Sequence, residues 1–143
     1  ELARMGVARP APFHVAEAVV HLRTRKLPDP AVIGNAGSFF KNPLVDAAQA
    51  DALQREHPEL PAWPQADGRS KLSAAWLIEA ADLKGSREGD AGISNRHALV
   101  LVNHGHASGG ELWAFAQQVI ATVQAKFGVR LEPEPVVVGA RQP

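Results

Sequence analysis

The sequence predicts an α+β fold in which helices pack on one small mixed β-sheet. Apolar residues recur at helical spacing in four segments, and short apolar runs typical of strands lie between them. These elements do not alternate in the regular order that builds a parallel α/β sheet. The chain has 143 residues and 45% hydrophobic content, which is enough for one core and too little for two. We therefore predict a single domain over residues 1–143.

Helices are predicted where apolar residues repeat every three or four positions. They cover residues 15–25, 46–56, 70–85 and 108–126. Pro28 ends the first helix, because proline moves the residue before it out of the helical region. Ser70 is the predicted N-cap of the third helix, Trp76 lies on its apolar stripe, and Gly85 closes it. Gly128 is expected to end the fourth helix, which is the longest and most amphipathic.

Strands are predicted over residues 38–40, 98–103 and 129–138, with a loop or short strand at 89–94. Ser38 is expected where loop becomes strand. The 98–103 run is apolar and typical of a buried strand that pairs with 89–94. Pro133 and Pro135 cannot donate ladder hydrogen bonds, so the last segment is predicted to be an edge strand or a bulge.

Charge and composition exclude several classes of function. Fifteen basic and fifteen acidic residues cancel, so no global charge directs the chain to nucleic acid or to an anionic membrane. No apolar run approaches the roughly 20 residues of a membrane helix. The chain has no cysteine, which removes disulfides and suits a cytoplasmic location. Because it begins at Glu1 and its only methionine is Met5, we expect it to be part of a longer polypeptide.

The richest stretch for chemistry runs from Lys26 to Pro43. A loop bounded by Gly34 and Gly37 lets backbone N–H groups converge, and Lys26, Lys41 and Asn42 offer donors suited to phosphate oxygens. The pattern matches neither the dinucleotide-binding fingerprint nor the Walker loop of nucleoside triphosphatases. Two interpretations stay open at this point: an anion cradle, or an ordinary turn before a strand.

Other polar residues also carry alternatives. Ser38 is a candidate nucleophile or a turn-forming serine, and the residues around it do not form a nucleophile elbow. Glu134, between two prolines, is either a carboxylate held in a fixed direction or a solvated residue on an edge strand. Trp63 lies between prolines and is expected to be less tied to the core than Trp76. His97, His104 and His106 lack the partners of a recognised metal spacing, so no metal site is predicted.

Five stretches of the chain, in the same order, resemble the C-terminal domain of the UDP-N-acetylenolpyruvoylglucosamine reductases. They are RTRKLPDP at 23–30, GNAGSFFKNP at 34–43, PQADG at 64–68, KLSAAWLI at 71–78 and LEPE at 131–134. The GSFFKNP block is highly characteristic of that family. The resemblance covers nearly the whole chain from about Val20 onward.

The resemblance implies a reductase of peptidoglycan synthesis, and with it a role in cell-wall construction, cell shape and division. In that family NADPH reduces FAD, and the reduced flavin gives a hydride to C3 of the enolpyruvyl group of UDP-N-acetylglucosamine enolpyruvate. The serine of the GSFF block then protonates C2, which assigns proton donation to Ser38. The second glutamate of LEPE, here Glu134, is implied to polarise the substrate, and Glu132 is the weaker candidate.

Substrate-binding positions of the family fall on Lys26, Asn42, Trp63, Lys71 and His97. Lys26 and Asn42 match positions that hold the diphosphate. Trp63 stands where some relatives have a tyrosine near the uridine, so the aromatic contact is kept and the hydroxyl is lost. His97 stands where some relatives have glutamine.

The resemblance also implies that a preceding FAD-binding domain is missing from this chain, with residues 1–14 as the linker to it. The chain alone is then expected to bind neither FAD nor NADPH, and to be inactive by itself. Two alternatives remain: a stand-alone nucleotide-sugar binding module, and a serine hydrolase built on Ser38, against which the flanking sequence argues.

Overall fold

Four helices and seven short strands make up residues 1–139, the part of the chain that this computed structural model describes. The helices are α1 (Pro12–Lys26), α2 (Ala47–Glu56), α3 (Ala74–Ala80) and α4 (Gly109–Phe127). The strands are β1 (Gly34–Ser38), β2 (Leu44–Asp46), β3 (Ala62–Pro64), β4 (Arg69–Leu72), β5 (Arg87–Glu88), β6 (Ala91–Ile93) and β7 (Val100–Asn103). The α+β class is confirmed. The last four residues of the predicted 1–143 domain lie outside the described residues.

The strands form two antiparallel sheets, which differs from the single mixed sheet expected from the sequence. One sheet has the order β1-β7-β6-β5 and the other the order β2-β4-β3. The pairs β3–β4 and β5–β6 are joined by short turns, and a short turn returns the chain antiparallel to itself. The predicted neighbours at 89–94 and 98–103 do pair, as β6 and β7.

The core lies where the helices cover these sheets. Helix α4 packs on β6 and β7 and against α3, while α2 packs on β2 and β4. The most deeply buried side chains come from every layer of this arrangement. They include Phe40, Leu72, Leu77, Ile78, Ile93, Val119 and Val123. Each contributes about 1.5 to 3 kcal/mol relative to an exposed side chain, so this cluster holds the two sheets and three helices together.

Helix α4 follows the sequence closely at both ends. The Ser108 hydroxyl accepts from the Glu111 N–H, and the Glu111 carboxylate accepts from the Ser108 N–H, which completes a capping box. At the other end Gly128 has φ +66°, the left-handed conformation that glycine adopts without steric cost.

The predicted start of α3 is wrong. Ser70 lies in β4, opposite Val45 and Pro64, and the helix begins at Ala74. Ser73 is the N-cap, and its hydroxyl accepts from the Trp76 N–H. Residues up to Leu72 therefore belong to the paired strand β4, and the helix can begin only after them. Trp76 is half-buried at the edge of the core.

The strand expected over 38–40 lies earlier in the chain. β1 begins at Gly34 and ends at Ser38, so Ser38 marks the end of a strand and not its start. Its register with β7 shifts between Asn35 and Ser38. The expected strand over 129–138 is reduced to one antiparallel bridge between Pro133 and Phe40, because the two prolines interrupt the ladder.

Helix α1 forms where predicted, but its apolar side chains do not enter the core. Val15, Val19 and Val20 are exposed, and Ala18 is its one buried residue. The helix already begins at Pro12, inside the segment expected to be linker. Helical spacing thus predicts that the helix forms, but it does not determine whether its apolar side chains are buried.

Candidate functional site

Ser38 and Glu134 lie on neighbouring backbone segments. Ser38 ends β1 opposite Val100, and the next residue, Phe39, donates its N–H to the Leu99 carbonyl at 2.8 Å. The Phe39 carbonyl in turn accepts from the Glu134 N–H at 2.8 Å. This hydrogen bond joins Glu134 to the residue that follows Ser38, although the two segments are distant in the sequence. Ser38 and Glu134 are both exposed.

Glu132 is engaged in an ion pair. Its carboxylate lies 2.5 Å from the Lys41 ammonium, and its carbonyl accepts from the Lys41 N–H at 2.9 Å. Among residues 1–139, Glu134 makes no such pair. The structure therefore leaves the carboxylate of the second glutamate of LEPE, and not that of the first, without an ion pair among residues 1–139.

Lys26 and His97 lie at a second point of contact between distant segments. Lys26 is the last residue of α1, and His97 lies in the turn between β6 and β7. The pKa of His97 is below its ordinary value, first because the ring is partly buried and then because Lys26 and Lys84 are positive; Glu79 opposes them. Its Nδ1 accepts from the Leu99 N–H at 3.3 Å. His97 is therefore neutral near pH 7.

Lys84 is a residue of this cationic group that the sequence reasoning missed. It follows α3 in a turn, and its ammonium is also 3.0 Å from the Glu79 carboxylate. No spacing in the sequence relates Lys84 to Lys26, because the two come from distant segments that the fold brings near His97. The one local feature that could have drawn attention to Lys84 is its place in a Leu-Lys-Gly turn after a helix.

Asn42 has a structural contact. Its Oδ1 accepts from the N–H of Ala74, the first residue of α3, at 3.0 Å. Such an N–H has no partner within its own helix. Because Oδ1 accepts this hydrogen bond, the Asn42 amino group is the part of the side chain that could donate to a ligand. The residue expected to donate to phosphate is therefore oriented by the helix behind it.

Trp63 and Lys71 are direct cross-strand partners in the three-stranded sheet. Lys71 on the central strand β4 also lies opposite Leu44 on β2. Trp63 remains 47% exposed, so an aromatic face is available next to an ammonium group. Side chains opposite each other in antiparallel strands stand on the same face of the sheet.

A cleft of about 520 Å³ separates the end of α1 from the loop side of β1. It is bordered by Thr24 and Leu27, close to Lys26, and by Gly37, which precedes Ser38. None of the seven residues selected from the sequence lines this cleft, although Lys26 and Ser38 are the chain neighbours of Leu27 and Gly37, which do. Gly37 has φ +78°, which lets the backbone turn there toward Ser38.

The histidine loop at 104–106 is held by Asp90. The His106 N–H donates to the Asp90 carboxylate at 2.8 Å, and the His104 N–H donates to the Asp90 carbonyl at 2.7 Å. Within the described part of the chain, no three histidine, aspartate or glutamate side chains converge as metal ligands. Asp90 has a pKa below its ordinary value, chiefly because of the hydrogen bond from His106 and then the one from Arg87.

These features define the class of protein: an α+β domain with a cleft at the end of α1, a lysine and an exposed serine next in the chain to residues that border it, and an exposed carboxylate on a neighbouring backbone segment. A family model described as "UDP-N-acetylenolpyruvoylglucosamine reductase, C-terminal domain" matches residues 29–138. The chain belongs to this family, and it corresponds to the family's C-terminal domain. The resemblance noted from the sequence is confirmed.

Relatives named UDP-N-acetylenolpyruvoylglucosamine reductase match almost the whole chain. The chain is 60% identical over 133 residues to the one from Chromobacterium violaceum, covering 93% of this chain and 39% of that protein. It is 59% identical over 141 residues to the one from Xanthomonas campestris pv. campestris (strain B100), covering 98% and 40%. The chain thus spans about 40% of the length of these curated relatives.

A crystal structure of the Thermus caldophilus reductase is also similar to the chain, with 26% identity, a TM-score of 0.49, and 88% of this chain and 35% of that one covered.

In residues 1–139, no helix has both the length and the apolar character needed to cross a bilayer.

Proposed function

We propose that this chain is the substrate-binding and proton-donating domain of an NADPH-dependent, FAD-containing reductase. The reaction converts UDP-N-acetylglucosamine enolpyruvate to UDP-N-acetylmuramate for peptidoglycan, in the cytoplasm. The observation that supports the proposal is the Phe39–Glu134 backbone hydrogen bond, which joins the family glutamate to the residue that follows the family serine. The names of the relatives supply the reaction class.

The sequence of this chain offers no recognisable site for a flavin or a nicotinamide cofactor. The sequence has no G-x-G-x-x-G segment that opens a helix after a strand, the arrangement that seats a dinucleotide pyrophosphate. We therefore assign FAD and NADPH to a separate domain of the same protein, which this domain meets as its partner. The side chains of this chain are left with two tasks, which are to bind the substrate and to protonate it.

Ser38 is the proposed donor of the proton that C2 of the substrate receives after C3 has been reduced. A hydroxyl has a pKa far above neutrality, so it donates readily only where the alkoxide it leaves is stabilised. Of the two lysines in the stretch from Lys26 to Pro43, Lys41 is paired with Glu132 and Lys26 has no ion pair among residues 1–139. Glu134 is proposed to polarise the enolpyruvyl group beside Ser38.

The nucleotide end of the substrate is proposed to bind the cationic and aromatic residues. Lys26 and the Asn42 amino group are placed on the diphosphate, where each charge-assisted hydrogen bond contributes about 1.5 to 3 kcal/mol. Trp63 offers a face for the uracil ring, with Lys71 beside it. His97 is neutral and acts as a hydrogen-bonding group, and not as a cation.

Binding of UDP to the isolated chain tests this assignment. Titration calorimetry should detect weak binding that falls as salt is added, because phosphate contacts are electrostatic. Lys26→Met should weaken it at least tenfold, whereas Arg55→Met should leave it unchanged, since Arg55 is an exposed cation at the far end of α2. Equal affinities for wild type and Lys26→Met would remove Lys26 from the diphosphate site.

Ser38 is tested in the longer reductase, where the two half-reactions separate in a stopped-flow instrument. Ser38→Ala should leave reduction of the flavin by NADPH intact and should slow its reoxidation by the enolpyruvyl substrate by about 10²–10⁴-fold. Ser38→Cys should retain part of the rate, because a thiol with a pKa of about 8.5 is a stronger acid. Wild-type turnover by Ser38→Ala, with Glu134→Gln inactive, would assign the proton to another group.

A further inference from the structure

The C-terminal end of helix α1 buries no side chain and is held by polar contacts, one of which is the ion pair between Arg25 and Glu1. Ala18 is the one residue of the helix that is buried, and Lys26 sits at its last position. The last carbonyl groups of any helix lack partners within the helix and carry partial negative charge. A group that binds these carbonyls therefore decides where the end of α1, and with it Lys26, lies.

Arg96 is that group. Its guanidinium donates to the carbonyl of Thr24 at 3.2 Å, to that of Arg25 at 3.1 Å and to that of Leu27 at 3.1 Å. These carbonyls surround Lys26 on both sides, and they lie about 70 residues away from Arg96 in the sequence. One side chain thus connects the end of α1 to the turn between β6 and β7.

The turn that carries Arg96 is itself well supported. The Arg96 N–H donates to the hydroxyl of Ser94, a buried residue, at 3.1 Å. The Ser94 N–H pairs with the Val100 carbonyl at 2.8 Å. The following residue is His97, whose ring accepts from Leu99. Arg96 therefore extends from a fixed part of the sheet toward the helix.

We propose that Arg96 is a positioning residue that caps the end of α1 and so holds Lys26 beside His97 at the substrate site. The inference goes one step beyond the proposed function and rests on it for the role of Lys26 toward a nucleoside diphosphate. Arg96 is not assigned any contact with substrate. Only a guanidinium presents several N–H donors in a rigid fork, so lysine at this position keeps the charge but not the three contacts.

The test uses Arg96→Lys in this chain, with UDP as the probe. Loss of the cap should raise the Kd of UDP about tenfold, the lower end of what one charge-assisted hydrogen bond contributes. In a Lys26→Met background, Arg96→Lys should cause no further loss. Arg87→Lys is the matched control, because Arg87 is an exposed arginine that bonds Asp90 and Gly89 and does not touch α1.

A second readout does not depend on the function of the site. The His97 ring faces Lys26, Lys84 and Glu79, and its pKa is lowered in part by Lys26. Arg96→Lys keeps the neighbouring positive charge, so a rise of the His97 pKa in an NMR titration reports that Lys26 has moved away. The rise should be absent when Lys26 is already methionine. Arg96→Gln, which keeps amide donors for fewer carbonyls, should behave in the same direction.

The two readouts separate the possible failures. An unchanged His97 pKa in both Arg96 variants, or UDP affinity equal to wild type in a chain that binds UDP, overturns the positioning role. A His97 shift that disappears in the Lys26→Met background supports that role even if the wild-type chain binds no UDP. In that last case the proposed function of Lys26 fails and the structural inference stands.

Discussion

At the scale of single residues, several side chains at the site have two tasks, and the structure separates them by atom. Asn42 uses its Oδ1 to cap α3 and is left with an amino group for a ligand. Glu132 and Glu134 are two residues apart, yet one is paired with Lys41 and the other is not, among the described residues. A substitution that ignores these assignments would mix stability with binding.

Two replacements of Asn42 should therefore behave differently. Asn42→Ala leaves the Ala74 N–H without its acceptor at the start of a buried helix turn, which should lower the free energy of unfolding by about 1 to 2 kcal/mol. Asn42→Asp keeps an acceptor and adds negative charge near a helix N-terminus, so stability should be maintained. Both should weaken UDP binding. Urea unfolding and calorimetry measure the two effects, and equal stability of the variants would contradict the capping role.

The stability of the chain should depend on pH through His97. Its pKa in the folded chain is lower than the ordinary value of about 6.5, because of burial and then of the charges on Lys26 and Lys84. Between these two values the unfolded chain binds more protons, so the free energy of unfolding falls as pH falls through that window. His97→Gln should show a smaller loss over the same window. Urea titrations at several pH values compare them, and parallel curves would contradict this cause.

At the scale of elements, two helices with similar sequence patterns have different surroundings. Helices α1 and α4 both carry valines at helical spacing, but those of α4 are buried against β6, β7 and α3 and those of α1 are exposed. The element boundaries follow local signals where those signals are strong, as at Ser108 and Gly128. They shift where sheet pairing competes with them, as at Ser70.

Matched valine replacements in these helices test the difference. Val119→Ala removes two fully buried methyl groups and should lower the free energy of unfolding by about 2 kcal/mol. Val20→Ala, at a position that is 59% exposed, should change it by less than about 0.5 kcal/mol. Thermal and urea unfolding of this chain give both values. A comparable loss at Val20 would show that the outer face of α1 is covered in solution.

The two ends of α4 provide a second comparison. Gly128→Ala places a Cβ on a residue with φ +66°, which should lower the free energy of unfolding by about 1 kcal/mol. Gly109→Ala, in the first turn, meets open space and should be neutral or slightly stabilising. Urea unfolding distinguishes them, and the reverse order would be inconsistent with a left-handed cap at Gly128.

At the scale of the whole molecule, the chain offers a binding surface without a cofactor fingerprint. Its formal net charge is zero, so attraction of an anion depends on local cationic side chains, such as Lys26 and Lys84 near His97, and not on the overall field. A stand-alone binding module and a domain of a larger reductase would share this surface. They differ in whether a second domain supplies the reducing equivalents.

The purified chain should take up no flavin. Mixing it with FAD, desalting and recording the visible spectrum should give no stoichiometric flavin absorbance, because the chain carries no G-x-G-x-x-G turn for the pyrophosphate. The same experiment on the full-length Chromobacterium violaceum relative is the matched control. Retention of one flavin per chain by these 143 residues would contradict the prediction and show that the chain contains a flavin site of its own.

The sequence by itself determined the α+β class, the family, and the helices, because apolar spacing, capping residues and motif order are local properties. It also selected Ser38, Glu134, Lys26, Asn42, Trp63, Lys71 and His97 through the resemblance, and their roles stay predictions. It placed the strand at Ser38 too late and the start of α3 too early, since strand boundaries depend on partners distant in sequence.

The tertiary structure alone decided which of these residues meet. The fold brings Lys26 and Lys84 near enough to His97 to lower its pKa, and the Phe39 carbonyl accepts from the Glu134 N–H. Arg96 acquires its contacts with α1 across about 70 residues of sequence. Such contacts arise from long-range packing and hydrogen bonding, which have no counterpart in local spacing. For the same reason the exposed face of α1 and the division into two antiparallel sheets were visible only in three dimensions.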